Sequence, residues 1–228
     1  MRIAEIYHSV QGEGFLTGTS SVFIRTSGCN LRCWFCDTPH ASWQPNGNDM
    51  SVDEVVGKTL DFGEDHVVVT GGEPMLWAEM IPLCQQLQSA GLHVTIETAG
   101  TLHLPVACDL MSISPKLSNS LPPAEDEPRW HKRHEKSRHA PEVIQRLVAE
   151  HHYQFKFVVD APSDGAEVRH YLNDFPEIDR SRVMLMPQGT DPDGLEQTSR
   201  WLQPYCHEHG YQFCPRKQIE WFGLVRRT

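Results

Sequence analysis

The stretch Thr26–Asp37, TSGCNLRCWFCD, places three cysteines, Cys29, Cys33 and Cys36, within eight residues. In a reducing compartment so tight a group reads as a metal-binding or catalytic set, not as disulfide partners. Thiolates are soft donors that suit zinc or iron–sulfur clusters. A structural zinc site wants four ligands, and the 13 histidines of the chain offer a distant fourth. A four-iron cluster held by three cysteines instead leaves one iron open to a substrate or cofactor. Spacing alone leaves both readings open. Cys84, Cys108, Cys206 and Cys214 are scattered among apolar residues and read as small buried hydrophobes.

The rest of the chain sets the frame for that loop. Its 228 residues fit a single domain with a full core, and 39% hydrophobic with 22% charged residues is an ordinary globular composition. Thirty acidic against twenty basic residues give a formal charge of -10, which disfavours an extended nucleic-acid footprint and favours small-molecule chemistry. The opening MRIAEIYHSV lacks the apolar run of a signal peptide, and no later stretch is suited to span a membrane. A cytoplasmic protein is expected.

Short apolar runs alternate with helical segments, the pattern of a parallel sheet with crossover helices. Strands are expected at 21–28, 66–74, 93–100, 108–116, 153–160 and 182–187. A helix is predicted over about 75–90, where Leu76, Met80, Leu83 and Leu87 recur at helical spacing, with others at 165–173 and 195–209. One segment breaks the rhythm. Residues 121–142, LPPAEDEPRWHKRHEKSRHAPE, are proline-rich and then dense in His, Lys and Arg. They read as a solvated insertion with a helical end, or as a lid over an anionic ligand.

Ligands in parallel α/β folds gather at the carboxyl ends of strands. The unusual short sequences all fall there: the cysteine loop, TGGEP (70–74), ETAG (97–100), SPK (114–116) and MPQG (186–189). Glu97 ends a buried strand, where it would bond a ligand or the turn glycine.

The Cys-x3-Cys-x2-Cys spacing, with Phe35 before the last cysteine, resembles the cluster loop of the radical S-adenosylmethionine (SAM) enzymes. TGGEP resembles that superfamily's glycine-rich turn. Within the superfamily, SVQGEG (9–14), FIRTSGCNLRC, CDT, TGGEPML, ETAG, SPK, KFVVD and MPQG together resemble the 7-carboxy-7-deazaguanine synthase family, often called QueE. The resemblance implies a single-domain α/β fold, a mostly parallel, partial β/α barrel, over residues 1–228, with an insertion at about 119–142. It implies a [4Fe-4S] cluster on Cys29, Cys33 and Cys36, with SAM chelating the open iron. SAM contacts would come from Phe35, Gly71, Gly72, Glu73, Ser114, Pro115, Lys116, Met186, Pro187, Gln188 and Gly189. Gly71 and Gly72 would let the backbone approach the methionyl group, and Glu73 would position SAM or cap the next helix.

The family converts 6-carboxy-5,6,7,8-tetrahydropterin to 7-carboxy-7-deazaguanine with loss of ammonia, and by resemblance Val10, Gln11, Gly12, Glu13, Arg25 and Thr70 meet that pterin. Arg25 would pair with the substrate carboxylate. Thr38 corresponds to a Mg2+ ligand, with Asp37 behind it. No protein acid or base is singled out. A reductant such as flavodoxin or ferredoxin and a homodimer are also implied, the apolar IEWFGLV (219–225) being compatible with docking across an interface. One departure stands out. Many members carry RLH near the C-terminus, and here Gln218 occupies the histidine's place, so a titrating role there is in doubt. A glycyl-radical activase and a zinc-stabilised binding module are the alternatives.

Overall fold

The computed structural model describes residues 1–227. A hairpin opens the chain: β1 (Arg2–Val10) pairs antiparallel with β2 (Ser20–Thr26), with Glu5 opposite Arg25. The two-residue β3 (Asn48–Asp49) adds to the outer side of β1. From β2 onward every pairing is parallel, through β4 (His66–Gly71), β5 (His93–Thr98), β6 (Leu110–Ile113), β7 (Tyr153–Val159), β8 (Val183–Pro187) and β9 (Gln212–Phe213). The nine-stranded order is β3-β1-β2-β4-β5-β6-β7-β8-β9. Its two edge strands do not pair with each other, so the sheet is an open, partial barrel.

Helices fill most crossovers. α1 (Val52–Leu60) precedes β4, where Ser51 and Glu54 form a reciprocal cap. α2 (Met80–Ser89) links β4 to β5, α3 (Pro128–Ser137) and α4 (Pro141–Glu150) link β6 to β7, and α5 (Pro162–Asn173) links β7 to β8. α6 (Pro192–His209) links β8 to β9, and α7 (Lys217–Phe222) closes the fold. The β5–β6 connection carries no helix, contrary to a strict alternation. The helix predicted from residue 75 begins later. Pro74–Leu76 form a 3-10 turn, Trp77 is extended, and the α-helix starts at Met80.

Alternation along the strands separates two environments. On β7, Phe155, Phe157 and Val159 face the helices and are fully buried in the main core, as are Val67 and Val69 of β4 and Val22 and Ile24 of β2. The intervening residues, among them Arg25, Thr70, Glu97 and Lys156, face the concave side of the sheet and line its cavity. The helix-facing side is apolar, whereas the concave side mixes these polar groups with Phe23, Val68, Val158 and Met186.

Candidate active site

The cavity has a volume of about 590 Å3 and lies over the carboxyl ends of the central strands. Cys29, Cys33 and Cys36 line one end, on the loop that β2 delivers. All seven cysteines are free thiols. Burial pushes the Cys29 thiol up to about 12, with Glu73 adding to it, and the Cys33 thiol up to about 11. Thiols so placed hold their protons until a cation compensates the charge, which is the chemistry of a metal-binding set. The Cys36 sulfur lies 3.1 Å from Ser42 Oγ and 3.7 Å from Thr38 Oγ1.

The glycine turn after β4 is stitched to this loop. Gly72 N–H donates to Thr26 O and Glu73 N–H to Gly28 O, at 3.1 and 2.8 Å. Gly71 has φ +142, and a Cβ on it would run into Thr26, while one on Gly72 would run into Gly28 O and Ala41 O. Both glycines line the cavity, but packing against the cysteine loop is what forbids a side chain. Glu73 is fully buried and does not reach the cavity. Its carboxylate accepts from Met75 N–H, Thr98 Oγ1 and Ala99 N–H, tying the turn to the end of β5. Glu73 caps the 3-10 turn Pro74–Leu76, not the α-helix from Met80.

Two ion networks also line the concave surface. Lys156 Nζ donates to Glu97 Oε1 at 2.6 Å and Glu13 Oε2 at 3.1 Å, and its side chain is only 5% exposed. Glu97 also accepts from Thr70 Oγ1 at 2.8 Å, and Glu13 from Gln218 Nε2 at 2.6 Å. Burial alone would raise the Glu13 carboxyl, but Lys156 and Arg216 pull it down to about 2. Burial likewise opposes the charge on Glu97, and Lys156 outweighs it. The Lys156 ammonium is desolvated, yet the two carboxylates hold its pKa above the ordinary lysine range. Arg216 ties the network to other segments, pairing with Asp37 and donating to Gly189 O at 2.6 Å.

The second network centres on Arg25. Nε donates to Glu5 Oε1 at 2.8 Å and Nη2 to Tyr7 OH at 2.9 Å. Glu5 Oε2 is met by Arg226 Nε at 2.9 Å and Arg227 Nε at 3.3 Å, so the C-terminal segment lies along the mouth of the cavity.

This geometry can be set beside known proteins. The Radical SAM superfamily profile matches residues 23–149. The fold superposes on the crystal structure of QueE from Escherichia coli with a TM-score of 0.71, over 95% of this chain and 93% of that one; at 22% identity this speaks to the fold. Over 227 residues the chain is 48% identical to a 7-carboxy-7-deazaguanine synthase of Rhodopirellula baltica, covering 99% of this chain and 88% of the relative. The chain belongs to the 7-carboxy-7-deazaguanine synthase family. A member from Pyrobaculum aerophilum is 35% identical over 99% of this chain and 96% of its own length. Membership makes the chain a radical SAM enzyme and implies a [4Fe-4S] cluster and SAM. It sets aside both the zinc module and the glycyl-radical activase.

Most residues expected at the site share the one cavity. Val10, Gln11, Gly12, Glu13, Arg25 and Thr70 line it, as do Phe35, Thr38, Ser114, Lys116, Met186 and Gln188. Pro115, Pro187 and Gly189 do not. Pro115 is buried, and Pro187 faces a separate groove beside α6. Gly189 acts through its carbonyl on Arg216. Lys116 Nζ folds back onto Ser114 O and Oγ, both at 2.7 Å. Glu5, Tyr7, Lys156 and Arg216 also line the cavity, although no motif assigns them a role. Lys156 had a signal: a lone cation in the middle of an apolar strand must find a partner. None of residues 121–142 lines the cavity.

Proposed function

We propose that this enzyme converts 6-carboxy-5,6,7,8-tetrahydropterin to 7-carboxy-7-deazaguanine with release of ammonia, on the way to queuosine-type 7-deazapurines. Substrate and products balance with no net oxidation, which fits a carbon–nitrogen lyase that regenerates its SAM. The observation that carries this reading is the cavity itself, which brings together a soft thiol set and fixed charges suited to a flat, carboxylated heterocycle. Bound there, the cluster and SAM would supply the 5′-deoxyadenosyl radical that abstracts hydrogen from pterin C6.

The chain's own residues then bind and orient. Cys29, Cys33 and Cys36 would hold the cluster and leave one iron to SAM, with Phe35, Gly71, Gly72, Ser114, Lys116, Met186 and Gln188 available around it. Arg25, fixed by Glu5 and Tyr7, presents its remaining Nη1 to the substrate carboxylate. Gln11 spends its Nε2 on Ser21 Oγ at 2.9 Å, which leaves its carbonyl oxygen to read a substrate donor. Glu13 and Glu97 stay ionised and accept from the aminopyrimidinone edge. Lys156 keeps its proton on Nζ, so it holds the two carboxylates in place and does not shuttle protons. The Thr38 hydroxyl lies beside Cys36, where a Mg2+ ion shared with substrate oxygens and water would complete its shell.

An external one-electron donor such as flavodoxin or ferredoxin, a homodimer and a cytoplasmic location complete the proposal. In support of the last, among the described residues no helix is long and apolar enough to cross a membrane. The test is anaerobic: reconstitute the cluster, add SAM, reductant, Mg2+ and the pterin, and identify the product by mass. Product that disappears in Cys33→Ala is expected. SAM cleavage with the pterin untouched would overturn the substrate assignment.

A further inference from the structure

The charged insertion leaves the cavity alone and grips the cysteine loop from behind. The two backbone amides that flank Cys33 are both held by it. Arg32 N–H donates to His134 Nδ1 at 3.1 Å, and Trp34 N–H donates to Ser120 O at 3.2 Å. Trp34 Nε1 adds a bond to Asn119 O at 2.7 Å, and the Arg32 guanidinium stacks on Trp130, 4.1 Å from its centroid. On the other side, Trp43 Nε1 fixes Cys33 O at 3.0 Å.

His134 is the centre of this clasp. Its side chain is fully buried, in a helix that is otherwise largely exposed and charged. Because Nδ1 accepts from Arg32, the ring proton must sit on Nε2, which lies 3.0 Å from Ser120 Oγ. The Ser120 hydroxyl in turn donates to Leu117 O at 2.6 Å. The hydrogen bonds run in one direction, from the Arg32 amide through the ring and the Ser120 hydroxyl to Leu117 O, which also accepts from the Ser120 amide. A buried histidine with both nitrogens satisfied by fixed partners is an orienting device, as the outer partners of metal ligands commonly are.

We propose that His134 is a positioning residue for the iron–sulfur cluster, fixing the Arg32 amide and through it the placement of Cys33. The inference rests on Cys33 being a cluster ligand. Amide orientation and solvent access beside a cysteine ligand tune a cluster's potential and its resistance to oxidation. His134 would therefore act on the cluster without touching it.

The experiment compares wild type, His134→Ala, His134→Asn and Ser120→Ala after anaerobic reconstitution. Asn can offer Oδ1 where the ring offers Nδ1, so it keeps the acceptor while shrinking the side chain. Four quantities are read: iron per chain, the electron paramagnetic resonance spectrum of the reduced cluster with SAM, the rate of bleaching in air, and circular dichroism of the metal-free protein. His134→Ala is expected to bleach about tenfold faster, with shifted resonances. His134→Asn should recover most of the difference, and Ser120→Ala should lie between. Should His134→Ala fail to fold, Ser120→Ala alone still reads the clasp. Wild-type bleaching and resonances in a folded His134→Ala or Ser120→Ala would overturn the inference, as would equal damage in the Ala and Asn variants. A wild-type protein that takes up no cluster would instead refute the assignment of Cys33 as a ligand, and the inference with it.

Discussion

Gly72 lies with its Cα directly against the carbonyl of Gly28, and the next amide, that of Glu73, donates to that same carbonyl at 2.8 Å. The glycine turn and the cysteine loop are thus one packed unit, although 42 residues separate Cys29 from Gly71 in the numbering. A Cβ at Gly72 would meet backbone, which cannot swing aside as a side chain can. Gly72→Ala should therefore cost about 1–3 kcal/mol of stability and lower iron uptake after reconstitution. Unfolding in urea and an iron assay check both. Full stability with weakened SAM binding would show that the glycine serves the cofactor alone.

Lys156 sits between the half-buried carboxylates of Glu13 and Glu97, and its removal leaves Glu97 without an ionic partner while Glu13 keeps Arg216. Lys156→Met should lose about 1–3 kcal/mol of stability, less than for a fully buried ion group because both carboxylates keep some solvent. Product formation should fall with it. Adding Glu97→Gln should return part of the stability, because the unpaired charge is then removed, and a double-mutant cycle measures that coupling. Strict additivity would mean that the ammonium does not hold the carboxylates.

How much of this was visible in the linear sequence depended on whether a residue's role is local. The cysteine spacing and the four motifs at strand ends are local, and all of them arrive at one cavity. Lys156, Arg216 and Glu5 are not. Arg216 reaches Asp37 across 179 positions, and Arg226 reaches Glu5 across 221. Nothing near either arginine names its partner. The same limit explains β1, whose strand character depends on pairing with β2, and His134, which lies in a segment whose composition suggests solvent. In each case a long-range contact overrides the local pattern.

His134 and Glu13 lead the groups that set the acid limit of the metal-free fold, with His93, His151, Glu5 and Glu97 lowered in the same sense. Burial lowers the His134 imidazole from 6.5 to about 4. The unfolded chain then takes up that proton first, so the stability His134 contributes is complete above pH 6.5 and drains away as the pH falls to about 4. Glu13, lowered from 4.5 to about 2, adds a second step: its contribution holds above pH 4.5 and is lost on further acidification. Each step is worth up to roughly 3 kcal/mol. Urea midpoints followed from pH 8 to 3 should begin to fall near pH 6.5. In His134→Asn that first fall should shrink, because the lowered imidazoles of His93 and His151 keep part of it, while the second remains. A wild-type profile flat down to pH 5 would contradict the buried neutral imidazole.

Arg25 offers the sharpest test of where the substrate lies. Two of its donors are spent on Glu5 and Tyr7, which aim the guanidinium and leave Nη1 for a carboxylate. A lysine cannot keep both anchors and also reach the ligand, because its single ammonium lacks the planar fork. Arg25→Lys should therefore raise KM for the pterin roughly ten- to a hundredfold, the scale of one hydrogen bond to a charged group. Iron content and SAM cleavage without substrate should stay at wild-type values, because no bond joins Arg25 to the cysteine loop. Tyr7→Phe removes one anchor but leaves the Glu5 ion pair, and should do the same more mildly. If Arg25→Lys lost its cluster while KM held, the arginine would belong to the metal end of the cavity and the substrate carboxylate would have to be placed elsewhere.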